Sequence, residues 1–194
     1  MTELNTGDII LFAGEQSLFD KFLNFFTGSP YTHVGIVIKD PENLESGLYM
    51  LESGLEPMPD CESGKKIFGV QLHKLDEVAK GQNVYYRKLH LDKPRDLTQP
   101  VCAIDKLVHG KPYDINPIDW FEAELRILHP DCVSKQQTSS FWCSALVAYI
   151  YVKLGLLGDS VPWTLISPKE WGFLKRPTLN FVGCHLDKEV PLNL

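Results

Sequence analysis

The chain has 194 residues, 44% apolar and 23% charged, which suits one globular domain (residues 1–194) with a hydrophobic core. A net charge of −6 and a pI near 5.5 argue against nucleic acid as the main partner, which asks for a basic face. The longest apolar stretch, 141–152, is too short to span a bilayer, and the first residues lack the basic-then-apolar pattern of a signal peptide.

Residues 7–12, Gly-Asp-Ile-Ile-Leu-Phe, form a short apolar run that fits a buried strand. Ser17 can cap a helix over 18–26, whose phenylalanines and leucines make a wide apolar face; packing on a sheet is the expected use of that face. Residues 32–38, Thr-His-Val-Gly-Ile-Val-Ile, are β-branched and apolar and predict a strand. A turn at 40–43 leads to a second strand at 48–52. If these two form a hairpin, opposed positions sum to about 86, which brings His33 beside Glu52 or its immediate neighbour. A slip of one residue puts the two on opposite faces.

Residues 54–65 read as a surface loop, 67–72 and 83–89 as strands, and 75–80 as a short helical turn. Pro94 and Asp96 open a helix that runs to about His109 and stops at Gly110. A second helix is expected over 118–128, then a polar loop over 129–140. Thr138, Ser139 and Ser140 offer N-caps for a helix that runs on to Gly155 and carries no charge before Lys153. A turn over 168–174 and a last strand at 179–183 close the chain. No repeat, low-complexity tract or internal linker is evident.

Three residues stand out chemically. Cys143 lies in the first turn of a buried helix, where the macrodipole and unpaired N–H groups favour a thiolate and could cradle an oxyanion. His33 begins one strand and Glu52 ends the next. A cysteine nucleophile needs a base within hydrogen-bond reach, and that imidazole needs a third polar group to fix its tautomer. Against this stands the ordinary fate of a free cysteine, which is to pack.

Gly-Asp-Ile-Ile near the start, Tyr31-Thr32-His33-Val34-Gly35-Ile36, Leu51-Glu52, Gly110-Lys111-Pro112-Tyr113-Asp114 and Phe141-Trp142-Cys143-Ser144 together resemble the circularly permuted NlpC-type branch of papain-like cysteine hydrolases. That branch includes the YiiX-like proteins, their relatives in large DNA viruses and, more distantly, the lecithin:retinol acyltransferases. The histidine strand precedes the cysteine helix, the reverse of papain's order, and this chain has the permuted order. The resemblance implies Cys143 as nucleophile, His33 as general base and Glu52 as the residue that orients the histidine. Glutamate at the third place, where the acyltransferases use a second histidine, favours the YiiX-like side. Tyr31, Trp142 and Ser144 are the candidates for lining the substrate and oxyanion pocket. For Tyr31, simple packing at a strand end is an equal reading.

The fold expected is α+β, a small antiparallel sheet packed on helices with the nucleophile at a helix N-terminus. The function expected is a cysteine peptidase or amidase that cleaves an amide bond in a peptide or peptide-like substrate through a Cys-His-Glu triad. Acyl transfer, thioester or lipid-ester cleavage on the same residues is the alternative, and a non-catalytic binding or virion component is a third. No metal or other cofactor is expected: His129 and Cys132 lack a second ligand pair, and His73, His90, His109 and His185 read as ordinary scattered histidines. Cys61, Cys102 and Cys184 lack an adjacent base. Five cysteines at irregular spacing suit free thiols in a reducing compartment, hence the cytoplasm or a virion. The partners expected are a peptide or acyl-bearing substrate, with no transmembrane segment and peripheral membrane contact left open.

Overall fold

The computed structural model describes residues 3–14, 30–55, 58–114, 138–173 and 178–193. The expected helices over 18–26 and 118–128, and His129, Cys132 and Trp120, lie outside the described residues. Five strands build most of one sheet: β1 (Ile9–Ala13), β2 (Tyr31–Lys39), β3 (Leu48–Leu55), β4 (Phe68–Lys74) and β5 (Asn83–Arg87). A two-residue strand at Val190–Pro191, named β8 below, completes it in the order β4-β3-β2-β1-β5-β8, and every neighbouring pair is antiparallel. A separate two-stranded ribbon pairs β6 (Leu89–Leu91) with β7 (Cys184–Leu186). Three α-helices, α1 (Leu75–Ala79), α2 (Thr98–Val108) and α3 (Cys143–Lys153), and two 3-10 turns (Trp163–Leu165 and Pro168–Trp171) complete the described part of an α+β fold.

Side chains on a strand alternate between faces, and the two cores of this protein follow that alternation. Ile9, Leu11, Val34, Ile36, Ile38, Leu51, Val70 and Leu72 point into the larger core, which α3 fills. Ile10, Val37, Met50, Val84 and Tyr86 point the other way, onto Leu75 and Val78 of α1. Because α3 is packed all round, every residue from Cys143 to Tyr151 is buried. The absence of charge before Lys153 follows from that position.

The start of α3 differs from expectation. Thr138 to Ser140 do not cap it; the N-cap is Trp142, with no side-chain cap. Phe141 is instead held extended, its N–H donating to the Pro112 carbonyl at 3.1 Å and its carbonyl accepting from Asp114 N–H at 3.1 Å. Ser140 turns aside to Asp114. At the other end Gly155, at φ +69°, takes the left-handed conformation that ends a helix, and Leu156 N–H closes on the Tyr151 carbonyl at 2.8 Å.

The chain end also departs from expectation. Phe181 makes only an isolated bridge to Leu157, and the strands fall later, at β7 and β8. Gly183, at φ +62°, turns the chain between the Phe181 bridge and β7. Asp8, read as a turn residue, accepts from Asn5 N–H at 2.9 Å and from Leu89 N–H at 2.8 Å, tying β1 to the ribbon.

Candidate active site

The hairpin of β2 and β3 sets Ile36 opposite Leu51 and Lys39 opposite Leu48, so opposed positions sum to 87, one more than expected. Carried onward, that register sets Glu52 across from Gly35, on the same face as His33 and one step diagonal to it. The side chains meet there: His33 Nε2 hydrogen-bonds Glu52 Oε2. Gly54 gives them room, and Gly35 gives room to Met50 beside them. A methyl group on Gly35 would strike the Met50 side chain at 2.6 Å, and one on Gly54 would come within 3.3 Å of His33 Cε1 and 3.5 Å of Glu52 Oε2. The Phe12 ring meets the His33 ring edge-on at 5.6 Å and limits its rotation.

Cys143 completes the group. Its side chain is near enough to His33 to act on the imidazole, which lies between this cysteine and a carboxylate. Burial alone would push the imidazole's pKa down. Its neighbours Cys143 and Glu52 outweigh it, and His33 holds its proton well above the ordinary histidine range. Glu52 is fully buried, which by itself raises a carboxyl, yet His33 and His73 keep its pKa below the ordinary value. Cys143 is 3% exposed and the His33 side chain 21%, so the imidazole is the more open part of the site.

His73 was missed by sequence reasoning. It lies on β4, opposite Met50, and is fully buried. Its Nδ1 is 3.3 Å from Glu52 Oε1, and because an ionised carboxylate only accepts, the ring donates. Glu52 therefore bridges two imidazoles from the strands on either side of its own. No local signal marks His73, since the strand pairing that brings it to Glu52 is set by the whole sheet.

The three candidate pocket residues are otherwise engaged. Trp142 donates its indole N–H to the Thr164 carbonyl at 3.1 Å, and Ser144 donates its hydroxyl to the Ile166 carbonyl at 2.5 Å. Both side chains are buried and fix the start of α3 against the turn at 163–165. Tyr31 packs on Gly172 and meets Tyr85 edge-on at 5.8 Å, and its hydroxyl bonds Glu189. Burial and that carboxylate push the phenol up, so it stays neutral. What remains for an oxyanion is backbone: the first N–H groups of α3, which have no partner within the helix.

The remaining described histidines are not scattered singly. His109 Nδ1 is 3.1 Å from Asp105 and 3.3 Å from Glu62, and its Nε2 is 3.2 Å from Asp60. The hydrogen bonds to Asp105 and Asp60 raise its pKa to about 10. His90 faces His185 across the ribbon.

No known protein-family profile matches the chain, and no curated protein matches it. Among solved structures it is similar to the metalloprotein YiiX from Escherichia coli O157:H7 (DUF1105), at 17% identity and a TM-score of 0.55, over 99% of this chain and 98% of that one. At that identity the likeness is one of fold. Among the described residues no helix is long and apolar enough to cross a membrane.

Proposed function

We propose that the protein is a cysteine hydrolase of the permuted NlpC-type, YiiX-like kind, cleaving an amide bond in a peptide or peptide-like substrate. The observation that carries the reading is the single imidazole of His33, set between Cys143 and Glu52 and hydrogen-bonded to Glu52. In this mechanism the thiol proton resides on His33, and Cys143 Sγ attacks the carbonyl carbon as the thiolate of that pair. The oxyanion forms against the N–H groups that open α3. His33 then returns the proton to the leaving nitrogen as the C–N bond breaks, leaving a thioester. Water, deprotonated by His33, attacks the thioester; the C–S bond breaks, the acid leaves, and Cys143 thiolate is left beside the protonated His33 as at the start. Glu52 stays ionised throughout and stabilises the imidazolium, while His73 holds the other carboxylate oxygen.

The structurally similar YiiX is a metalloprotein. Among the described residues, two groups present three His, Cys, Asp or Glu ligand atoms within 4.8 Å of one another, and Cys143 belongs to neither.

The test is the rate of iodoacetamide alkylation against pH, mapped by mass spectrometry, in wild type and His33→Ala. Burial pushes the thiols of Cys61, Cys102 and Cys184 up, so they should react late. Cys143 should react first at neutral pH and lose that lead in His33→Ala; peptide and acyl-ester libraries then identify the bond cleaved. A Cys143 that reacts no faster than the other thiols, whatever residue stands at 33, removes the basis for the mechanism.

A further inference from the structure

The tetrapeptide His-Leu-Asp-Lys occurs twice, at 90–93 and 185–188, too short a repeat to mark a repeated unit of the fold. The fold pairs the two copies. β6 and β7 run antiparallel with His90 directly opposite His185, and the rings stack at 5.0 Å with 15° between their planes. Asp187, two residues beyond His185, shares its face by the alternation of a strand, and its Oδ2 is 2.7 Å from His90 Nε2. Leu89, Leu91, Cys184 and Leu186 take the opposite parity and pack against the main core. The face left to solvent carries His90, His185 and Asp187, all exposed, with their ligand atoms within 4.8 Å of one another.

We propose that His90, His185 and Asp187 form a binding site for a zinc-class divalent cation that clips the end of the chain to the body. Two imidazole nitrogens and one carboxylate oxygen are the borderline donors that zinc, nickel and copper prefer. Around a zinc ion with bonds of about 2.0–2.1 Å, tetrahedral ligand atoms stand about 3.4 Å apart, so rotation of exposed side chains is enough to close the group. The second candidate cluster, around His109, is built differently. Both of its ring nitrogens already face carboxylates, and Asp60 is fixed by the N–H groups of Leu72 and Ser63. That is an internal ion network.

The clip sits where it has mechanical consequence. The Arg87 guanidinium donates to the carbonyls of Leu186 and Asp187 on one side and of Trp171 and Gly172 on the other. Glu189, two residues beyond Asp187, accepts from Phe173 N–H at 2.6 Å and holds the Tyr31 hydroxyl. A cation joining β7 to β6 fixes the segment that carries both sets of contacts.

The experiment is calorimetric titration of the full chain, stripped with chelator, with zinc chloride, alongside His90→Ala, His185→Ala, Asp187→Asn and Glu62→Gln. Wild type should bind one ion per chain, and Tm should rise by about 5–10 °C at a hundredfold excess over Kd. Each of the first three changes should weaken binding at least tenfold, and Glu62→Gln should leave it unchanged. A cobalt-substituted sample should lack thiolate charge-transfer absorption. These side chains are exposed, so the variants should fold, which circular dichroism checks. Binding that survives loss of either histidine, falls only in Glu62→Gln, or shows thiolate absorption overturns the assignment.

Discussion

Replacement of Glu52 by glutamine keeps the shape of the side chain and removes its charge. The carboxylate accepts from His33 with one oxygen and from His73 with the other. An amide has only one oxygen, so one imidazole would meet an NH2 group instead. Removing one partner of a buried ion pair costs about 3–5 kcal/mol. The lower end applies here, because the His33 side chain is 21% exposed and can release its proton once the carboxylate charge is gone. The expected loss at pH 6 is therefore about 3 kcal/mol, or about 6–12 °C in Tm for a chain of this size.

The pH dependence is the sharper test of the same change. His33 is raised in the folded state, so its contribution is complete below the unfolded histidine value of about 6.5 and is lost as pH rises through the folded value. Glu52 is lowered, so its contribution is present above about 4.3 and is lost as pH falls through the folded value. The gap between wild type and Glu52→Gln should thus be widest between about pH 4.3 and 6.5 and then narrow by up to about 1.4 kcal/mol per pH unit. Urea unfolding of both proteins from pH 5.5 to 8.5 measures it. A gap that stays flat or widens across that range would refute the argument, because it would mean that Glu52 does not face a proton-bearing imidazole.

Two further changes probe neighbouring parts of the same physics. Gly54→Ala places a methyl 3.3 Å from His33 Cε1, so the ring must give by a few tenths of an ångström; Cys143 alkylation should slow severalfold at neutral pH while Tm moves by only a few degrees. His109→Gln removes an imidazolium held to about pH 10 by Asp105 and Asp60. Its destabilisation, read by thermal unfolding, should be full below about pH 6.5 and should fade as pH climbs toward 10.

The strands and helices near the site could be read from the sequence because their residues follow simple periods. Alternation in β2 and β3, the apolar run of α3 and the glycine at 155 each mark an element from within. The hairpin register was nearly legible too, since a short loop leaves few choices. Its true sum of 87 keeps His33 and Glu52 on one face, where the expected 86 would have separated them. The start of α3 was misjudged because the serines at 139 and 140 promise a cap, while a bridge from Tyr113 to Phe141 holds the chain extended until Trp142. That partner lies 28 residues upstream and gives no local sign.

What remained hidden depends on pairings between distant segments. His73 is an ordinary strand histidine until β4 is laid beside β3, and it then becomes the second donor to a fully buried carboxylate. A buried charge with one partner is costly, and a second hydrogen bond offsets part of that cost. The same logic explains why the bridge spans three strands. Lone imidazole–carboxylate contact would leave one oxygen of Glu52 desolvated and unpaired. With His73 in place both oxygens are satisfied, and the carboxylate that faces His33 has its rotation fixed from behind. The orientation of the histidine beside Cys143 is therefore a property of the sheet, set by the registers of two hairpins at once.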